Sequence, residues 1–206
     1  MTKVAIIDYG LCNLDSIFRA VEECGGKPTI TDQAKTIETA THIILPGVGA
    51  FRYAMHNLRE RRLDGPLYEQ VCHHQIPFLG ICLGMQLLAT KGYEGGETEG
   101  LGWIDGEVRH LTPTEAGERI PHAGWNEVYF SQPDCPLFKG ISPGKDFYFV
   151  HSYHFCEVND QEILAYTPYC GRFISAVGKN LIFGVQFHPE KSQRLGFQVL
   201  KNFLAL

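Results

Sequence analysis

The sequence predicts an α/β fold: a largely parallel central sheet flanked by helices, joined in the C-terminal half by antiparallel strands. Three observations predict it. Residues 3–8, 41–46 and 76–81 are nearly continuous apolar runs, the pattern of strands buried on both faces. Stretches with one apolar stripe at helical spacing separate them, and strands that alternate with helices pair in parallel. Beyond residue 100 the runs shorten and are cut by Gly, Pro and Asn, as in antiparallel strands joined by turns.

The first strand is KVAIID, 3–8. Asn13 is placed to cap the helix LDSIFRAVEEC, whose residues 14, 17, 18 and 21 form an apolar face and which Gly25 and Gly26 end. PTIT, 28–31, reads as a second strand. THIILP, 41–46, is a third, with Pro46 as its stop. Residues 52–60 and 64–74 carry helical patterns. IPFLGI, 76–81, is a buried strand followed by a helical pattern through Lys91. In the second half LGWIDGEV, WNEVYF, FYFVHSYHF, ISAVG and LIFGVQF read as short strands that extend the sheet or form a small second one. Ser192 is placed to cap a last helix, with Leu195, Val199, Leu200 and Phe203 facing inward. Residues 92–100 and 112–119 read as loops. No repeat, low-complexity tract or linker divides the chain, so 1–206 is expected to be one domain.

Composition narrows the function. The formal net charge is −5, which disfavours a nucleic-acid partner. The short cluster Arg59, Arg61 and Arg62, beside Glu60 and Asp64, reads as a solvated helix face. Seven cysteines stand at 12, 24, 72, 82, 135, 156 and 170, with no CxxC and no zinc-finger spacing. Free thiols fit a reducing cytoplasm. Asp8 interrupts the early apolar run, so no signal peptide is expected. The run 76–89 is too short to span a bilayer, so no membrane partner is expected.

GICLGMQ, 80–86, carries the chemistry. A strand runs into Cys82 and a helix starts after it, with Gly80 and Gly84 flanking symmetrically. This is the shape of a nucleophile elbow, G-x-C-x-G. Small neighbours let the backbone turn sharply, and the side chain projects from the carboxyl edge of the sheet. The helix start would favour a thiolate, and the Leu83 N–H would face an oxyanion. A buried inert cysteine is the plain alternative. A thiol nucleophile needs a base that also protonates the leaving group. His188, in GVQFHPEKS, ends a strand, and Glu190 two residues on would orient it if Pro189 keeps the chain extended. His151 and His154 form a rival, metal-like pair without a third ligand at a fitting spacing. A zinc deaminase reading of His188 fails for want of P-C-x-x-C, so neither metal nor cofactor is expected. PGVGAF, 46–51, is a second glycine loop whose N–H groups could complete an oxyanion hole. It matches no nucleotide-binding fingerprint.

PGVGAF, GICLGMQLL and GVQFHPEKS, in that order, resemble the class I (triad) glutamine amidotransferases over nearly the whole chain. IIDYGLCNLDSI, GLGWIDGEV, PHAGWNEV and FYFVHSYHF resemble, more narrowly, the glutaminase subunits of imidazole glycerol phosphate synthase. The resemblance implies that Cys82 attacks the carboxamide of L-glutamine while Leu83, Val48 and Gly49 hold the oxyanion. It makes His188 the acid and base, with Glu190 as its orienter. Gln86 and the segment His151, Ser152 and Tyr153 match positions that bind the substrate amino acid. Trp125 and Tyr148 match the ammonia exit, and Asn13 lies with them toward the partner. That partner is expected to be a (β/α)8-barrel cyclase in a heterodimer, which activates the glutaminase by moving the PGVGAF backbone. Cys12 stands where these subunits usually have glycine, and Asp15 where they often have arginine. A paralogous amidotransferase feeding a different synthase, for example in surface-sugar modification, is therefore the alternative. An esterase or peptidase on the same elbow, or a binding module without chemistry, are the readings from other classes.

Overall fold

The computed structural model describes residues 2–206. β1 (Lys3–Ile7) leads into α1 (Leu14–Glu23), β2 (Lys27–Thr31), α2 (Ala34–Glu38), β3 (His42–Gly47), α3 (Phe51–Glu60) and α4 (Asp64–Tyr68). β4 (Phe78–Cys82) and α5 (Leu83–Gln86) form the elbow. Then follow β5 (Lys91–Gly92), β6 (Thr98–Glu99), β7 (Glu107–His110), β8 (His122–Phe130), β9 (Lys145–His151) and β10 (Tyr153–Cys156). β11 (Ile163–Thr167), β12 (Phe173–Lys179), β13 (Ile182–Val185) and α6 (Gln193–Leu204) complete the chain. The strands run β2-β1-β3-β4-β13-β12-β10-β7-β5-β6, with β11 joining β12 to the β8–β9 pair. β2, β1, β3, β4 and β13 are mutually parallel, and β12, β10 and β7 continue antiparallel. This is the predicted fold class.

The apolar runs become central strands because both of their faces are covered. Along β1, Ala5 and Ile7 enter the core under α3 and α4, while Val4 and Ile6 enter the core under α1 and α6. Burying each of Val4, Ile6 and Ile7 stabilises the fold by about 1.5–3 kcal/mol.

Several elements differ from the sequence expectation. Pro46 does not end β3: it pairs with Ile81 inside the ladder, and the strand runs on to Gly47. The helix after Cys82 ends at Gln86 rather than Lys91, because the carbonyls of Leu87, Leu88 and Ala89 accept from the N–H groups of Leu101, Trp103 and Gly102 at 2.8–3.0 Å. The expected helix 64–74 is α4 followed by a widened turn, Glu69–His73. In LGWIDGEV only Glu107 and Val108 are strand residues. FYFVHSYHF breaks at Ser152, and its halves pair with different strands: β9 with β8, β10 with β7 and β12. Asn13 and Ser192 stand at helix starts, but neither side chain caps. The Ser192 hydroxyl instead accepts from the Tyr148 N–H at 3.0 Å and donates to the His188 carbonyl at 2.7 Å. Arg61 is more than a solvated charge, since it donates to the Asp8 carbonyl at 3.1 Å. No helix among the described residues is long and apolar enough to cross a membrane, and all seven cysteines are free.

Candidate active site

β4 delivers Cys82 to the carboxyl edge of the parallel strands, with φ 54° and ψ −109°. A non-glycine residue held there stores about 1–3 kcal/mol of strain. The flanking glycines permit the turn by close approach. A Cβ on Gly84 would lie 1.8 Å from the Leu45 carbonyl oxygen, and one on Gly80 would lie 2.5 Å from that of Gly84. The elbow shape therefore follows from the GxCxG spacing. The helix dipole invoked from the sequence shrinks to a four-residue helix, so the environment of the sulfur must come from side chains.

β13, the parallel neighbour of β4, brings in His188. The His188 N–H donates to the Tyr148 carbonyl at 2.9 Å, which ties the turn to β9. Its Nδ1 lies 2.8 Å from Glu190 Oε1, and the two side chains are 3% and 5% exposed. Pro189 does not keep the chain extended, as the sequence reading assumed. It opens a single 3-10 turn, Pro189–Lys191, which carries Glu190 back to the imidazole. Among the described residues His188 Nε2 and Glu190 Oε2 are buried without hydrogen-bond partners. Burial pulls the His188 pKa down, but its hydrogen-bonding and charge interactions with the Cys82 sulfur and the Glu190 carboxylate outweigh it and raise the group to about 10.

Two glutamines floor the site. Gln186, fully buried, donates from Nε2 to Cys82 Sγ at 3.5 Å, and its Oε1 accepts from Gln86 Nε2 at 3.0 Å. Gln86 Nε2 also lies 2.9 Å from the Tyr153 carbonyl oxygen. The Cys82 sulfur lies 3.8 Å from the Val150 carbonyl oxygen. A cavity of about 430 Å³ opens above them, lined by Val48, Gly49, Cys82, Leu83, Gln86, Glu94, Val150 and the 151–153 turn. Cys82, Leu83, Gln86, His151, Ser152 and Tyr153 therefore meet at one place, and His188, held by Glu190, interacts with the Cys82 sulfur.

Val48 departs from the expectation. Its N–H donates to the Leu11 carbonyl at 2.8 Å, so it is committed to the loop after β1 and not to an oxyanion. Leu83, the first helical residue, has no intrahelical partner for its own N–H. Gly49 takes φ +105°, a conformation open to glycine at little cost. Cys12 reinforces the loop contact by donating its S–H to the Pro46 carbonyl at 3.3 Å.

Trp125 and Tyr148 pair across β8 and β9, ring centroids 6.0 Å apart, with Trp125 half exposed. Tyr148 shares a strand face with Val150, which places the aromatic pair beside the cavity. Asn13 is exposed at the start of α1. His151 and His154 part company: His151 turns inward to His122, and no group of three potential metal ligands exists among the described residues. Sequence reasoning missed Gln186, Glu94 and His122. Gln186 left a signal as the one polar residue in LIFGVQF. Glu94, in the 92–100 loop, accepts from the Phe51 N–H at 2.8 Å and so caps α3 from a distance that no local pattern reveals.

The class-I glutamine amidotransferase family profile matches residues 5–206. The chain is 46% identical to the imidazole glycerol phosphate synthase subunit HisH of Moorella thermoacetica over 203 residues, covering 98% of this chain and 94% of that one. It is 46% identical to the Synechocystis subunit of the same name, covering 99% and 96%. The PurLQS structure from Thermotoga maritima shares the fold, with TM-score 0.75 at 18% identity over 99% of this chain and 98% of that one. With its elbow, its three ordered motifs and these matches in hand, the chain belongs to the class-I glutamine amidotransferase family, in the branch of the imidazole glycerol phosphate synthase HisH subunits.

Proposed function

We propose that the 206 residues act as one amidotransferase domain, the cytoplasmic glutaminase subunit of imidazole glycerol phosphate synthase in L-histidine biosynthesis. The observation that carries this reading is the Cys82–His188–Glu190 arrangement beside a cavity of about 430 Å³. The Cys82 sulfur, its proton passed to His188, attacks the side-chain carbonyl carbon of L-glutamine, and the Leu83 N–H stabilises the oxyanion. As the C–N bond breaks, protonated His188 gives its proton to the departing ammonia. It then takes a proton from water, whose oxygen adds to the thioester. The C–S bond breaks, glutamate leaves and His188 returns that proton to the freed sulfur. Gln86 and the 151–153 turn grip the substrate α-groups, and Glu94 supplies the negative charge that an α-ammonium requires. Ammonia leaves past Trp125 and Tyr148 to a (β/α)8-barrel cyclase subunit bound as a heterodimer, with Asn13 at the same interface.

The Val48–Leu11 bond supports low activity without the partner, because it withholds one oxyanion donor. Docking of the cyclase against the 9–15 segment frees it. The test is treatment of the complex with a glutamine-like electrophile and peptide mapping. Labelling of Cys82 alone, blocked by glutamine, is expected; unprotected labelling of several cysteines would overturn the mechanism. Equal turnover with and without the cyclase would overturn the activation.

A further inference from the structure

Outside the Cys82 cluster, a second chain of buried polar groups centres on the imidazole of His122 on β8, 4% exposed. Its Nδ1 lies 3.0 Å from His151 Nε2, and its Nε2 lies 3.2 Å from Asn126 Nδ2. His151 Nδ1 lies 2.9 Å from the Tyr153 carbonyl oxygen, the oxygen that Gln86 also contacts. The proton positions in this chain follow by elimination. A carbonyl oxygen only accepts, so His151 carries its proton on Nδ1. Burial keeps His151 neutral, with its pKa lowered to about 3, so its Nε2 is an acceptor. His122 must then donate from Nδ1. Burial lowers it to about 4, which leaves its Nε2 to accept. The Asn126 amide nitrogen supplies that last bond, its orientation fixed because Asn126 Oδ1 accepts from the Glu127 N–H at 2.8 Å. Each donor in the chain meets an acceptor, and one tautomer of each ring satisfies it.

We infer that His122 is a positioning residue for glutamine recognition: by donating to His151 it fixes the tautomer through which His151 holds the Tyr153 carbonyl, and with it the Ser152–Tyr153 backbone at the cavity wall. This rests on the proposed role of that turn in gripping the substrate α-groups. The same strand carries Trp125 three residues on, so the imidazole pair also ties the turn to the partner-facing hairpin. Aromatic packing sets the place of the His122 ring independently of its hydrogen bonds. Tyr169, Phe149 and Phe173 surround it, with centroids at 4.1, 5.0 and 5.4 Å.

That separation makes the test. His122→Phe keeps the stack and removes the donor. His122→Asn keeps a donor, because an Asn amide nitrogen can stand where His Nδ1 does. In the complex with the cyclase, His122→Phe is expected to raise the KM for glutamine about tenfold, the worth of one buried hydrogen bond, with kcat changed far less. His122→Asn is expected to keep KM near wild type. Equal KM shifts in the two variants, or a wild-type KM in His122→Phe, would overturn the inference. Should His122→Phe fail to fold, ring 15N spectra of the wild-type chain decide: a proton on His151 Nδ1 supports the inference and one on Nε2 overturns it. Electrophile labelling of wild-type Cys82, run alongside, separates a failure of the glutaminase reading from a failure at His122.

Discussion

Replacing His188 by alanine should destabilise the fold by an amount set by Glu190. The pair is 2.8 Å apart and almost fully buried, and among the described residues the second carboxylate oxygen has no hydrogen-bond partner. His188→Ala would therefore strand a buried carboxylate, which costs about 3–5 kcal/mol. Glu190→Gln in the same background removes the charge and leaves an amide, whose unpaired burial costs about 1–3 kcal/mol. The double variant should thus regain about 2 kcal/mol over His188→Ala. Glutamine turnover should fall about 10²- to 10⁴-fold in both, because the acid and base is gone from each. Urea unfolding followed by circular dichroism measures the first quantity, and ammonia release measures the second. Stability that recovers without activity is the expected signature. A double variant no more stable than His188→Ala would refute the buried ion pair and the orienting role of Glu190 with it.

Glycine usually destabilises relative to alanine, yet Cys82→Gly should unfold at higher urea than Cys82→Ala, because alanine keeps the strained φ of 54°; the opposite ranking would refute strain at the elbow, and neither variant should release ammonia. Gly84→Ala should cost about 3 kcal/mol or more, or prevent folding, since the new Cβ meets the Leu45 carbonyl at 1.8 Å; thermal unfolding checks it. Acidification from pH 6.5 toward 4 should lower stability by about 1.4 kcal/mol per pH unit for each of His122 and His151. The unfolded chain protonates them in that window, while burial holds the folded values near 4 and 3. Buried His42 and half-buried His154, also lowered, add to the slope. His188, raised to about 10, acts in the other direction: its contribution is complete below pH 6.5 and is lost as pH rises through 10. Urea midpoints across pH 5–10 test both arms, and a flat profile below pH 6.5 would contradict the first.

The parallel half was legible because its signal is local. Val4 to Ile7, Ile43 to Leu45 and Phe78 to Ile81 are apolar without interruption, and only a strand covered on both faces makes that tolerable. GxCxG was legible for the same reason, since the close approach of Gly80 to Gly84 lies within the motif, although Gly84 also packs against the distant Leu45 carbonyl. What escaped depends on distant segments. Leu87 to Ala89 leave the helix because 101–104 offer their N–H groups, and no periodicity in 83–91 announces that. The Val48 N–H points away from the cavity because Leu11 accepts it across the gap between two loops. His122 reads as one histidine among nine until β8 and β9 pair in register, which sets it directly opposite His151.

The sheet order carries a consequence for the growing chain. Cys82 sits on the fourth strand, while its imidazole arrives just after the thirteenth, and these two strands lie side by side. A ribosome-bound fragment that has already folded its first ninety residues holds a bare thiol and nothing to shuttle its protons. Hydrolytic competence is therefore withheld until synthesis is almost finished, and truncated or abandoned polypeptides leave the cellular pool of free amino acid untouched.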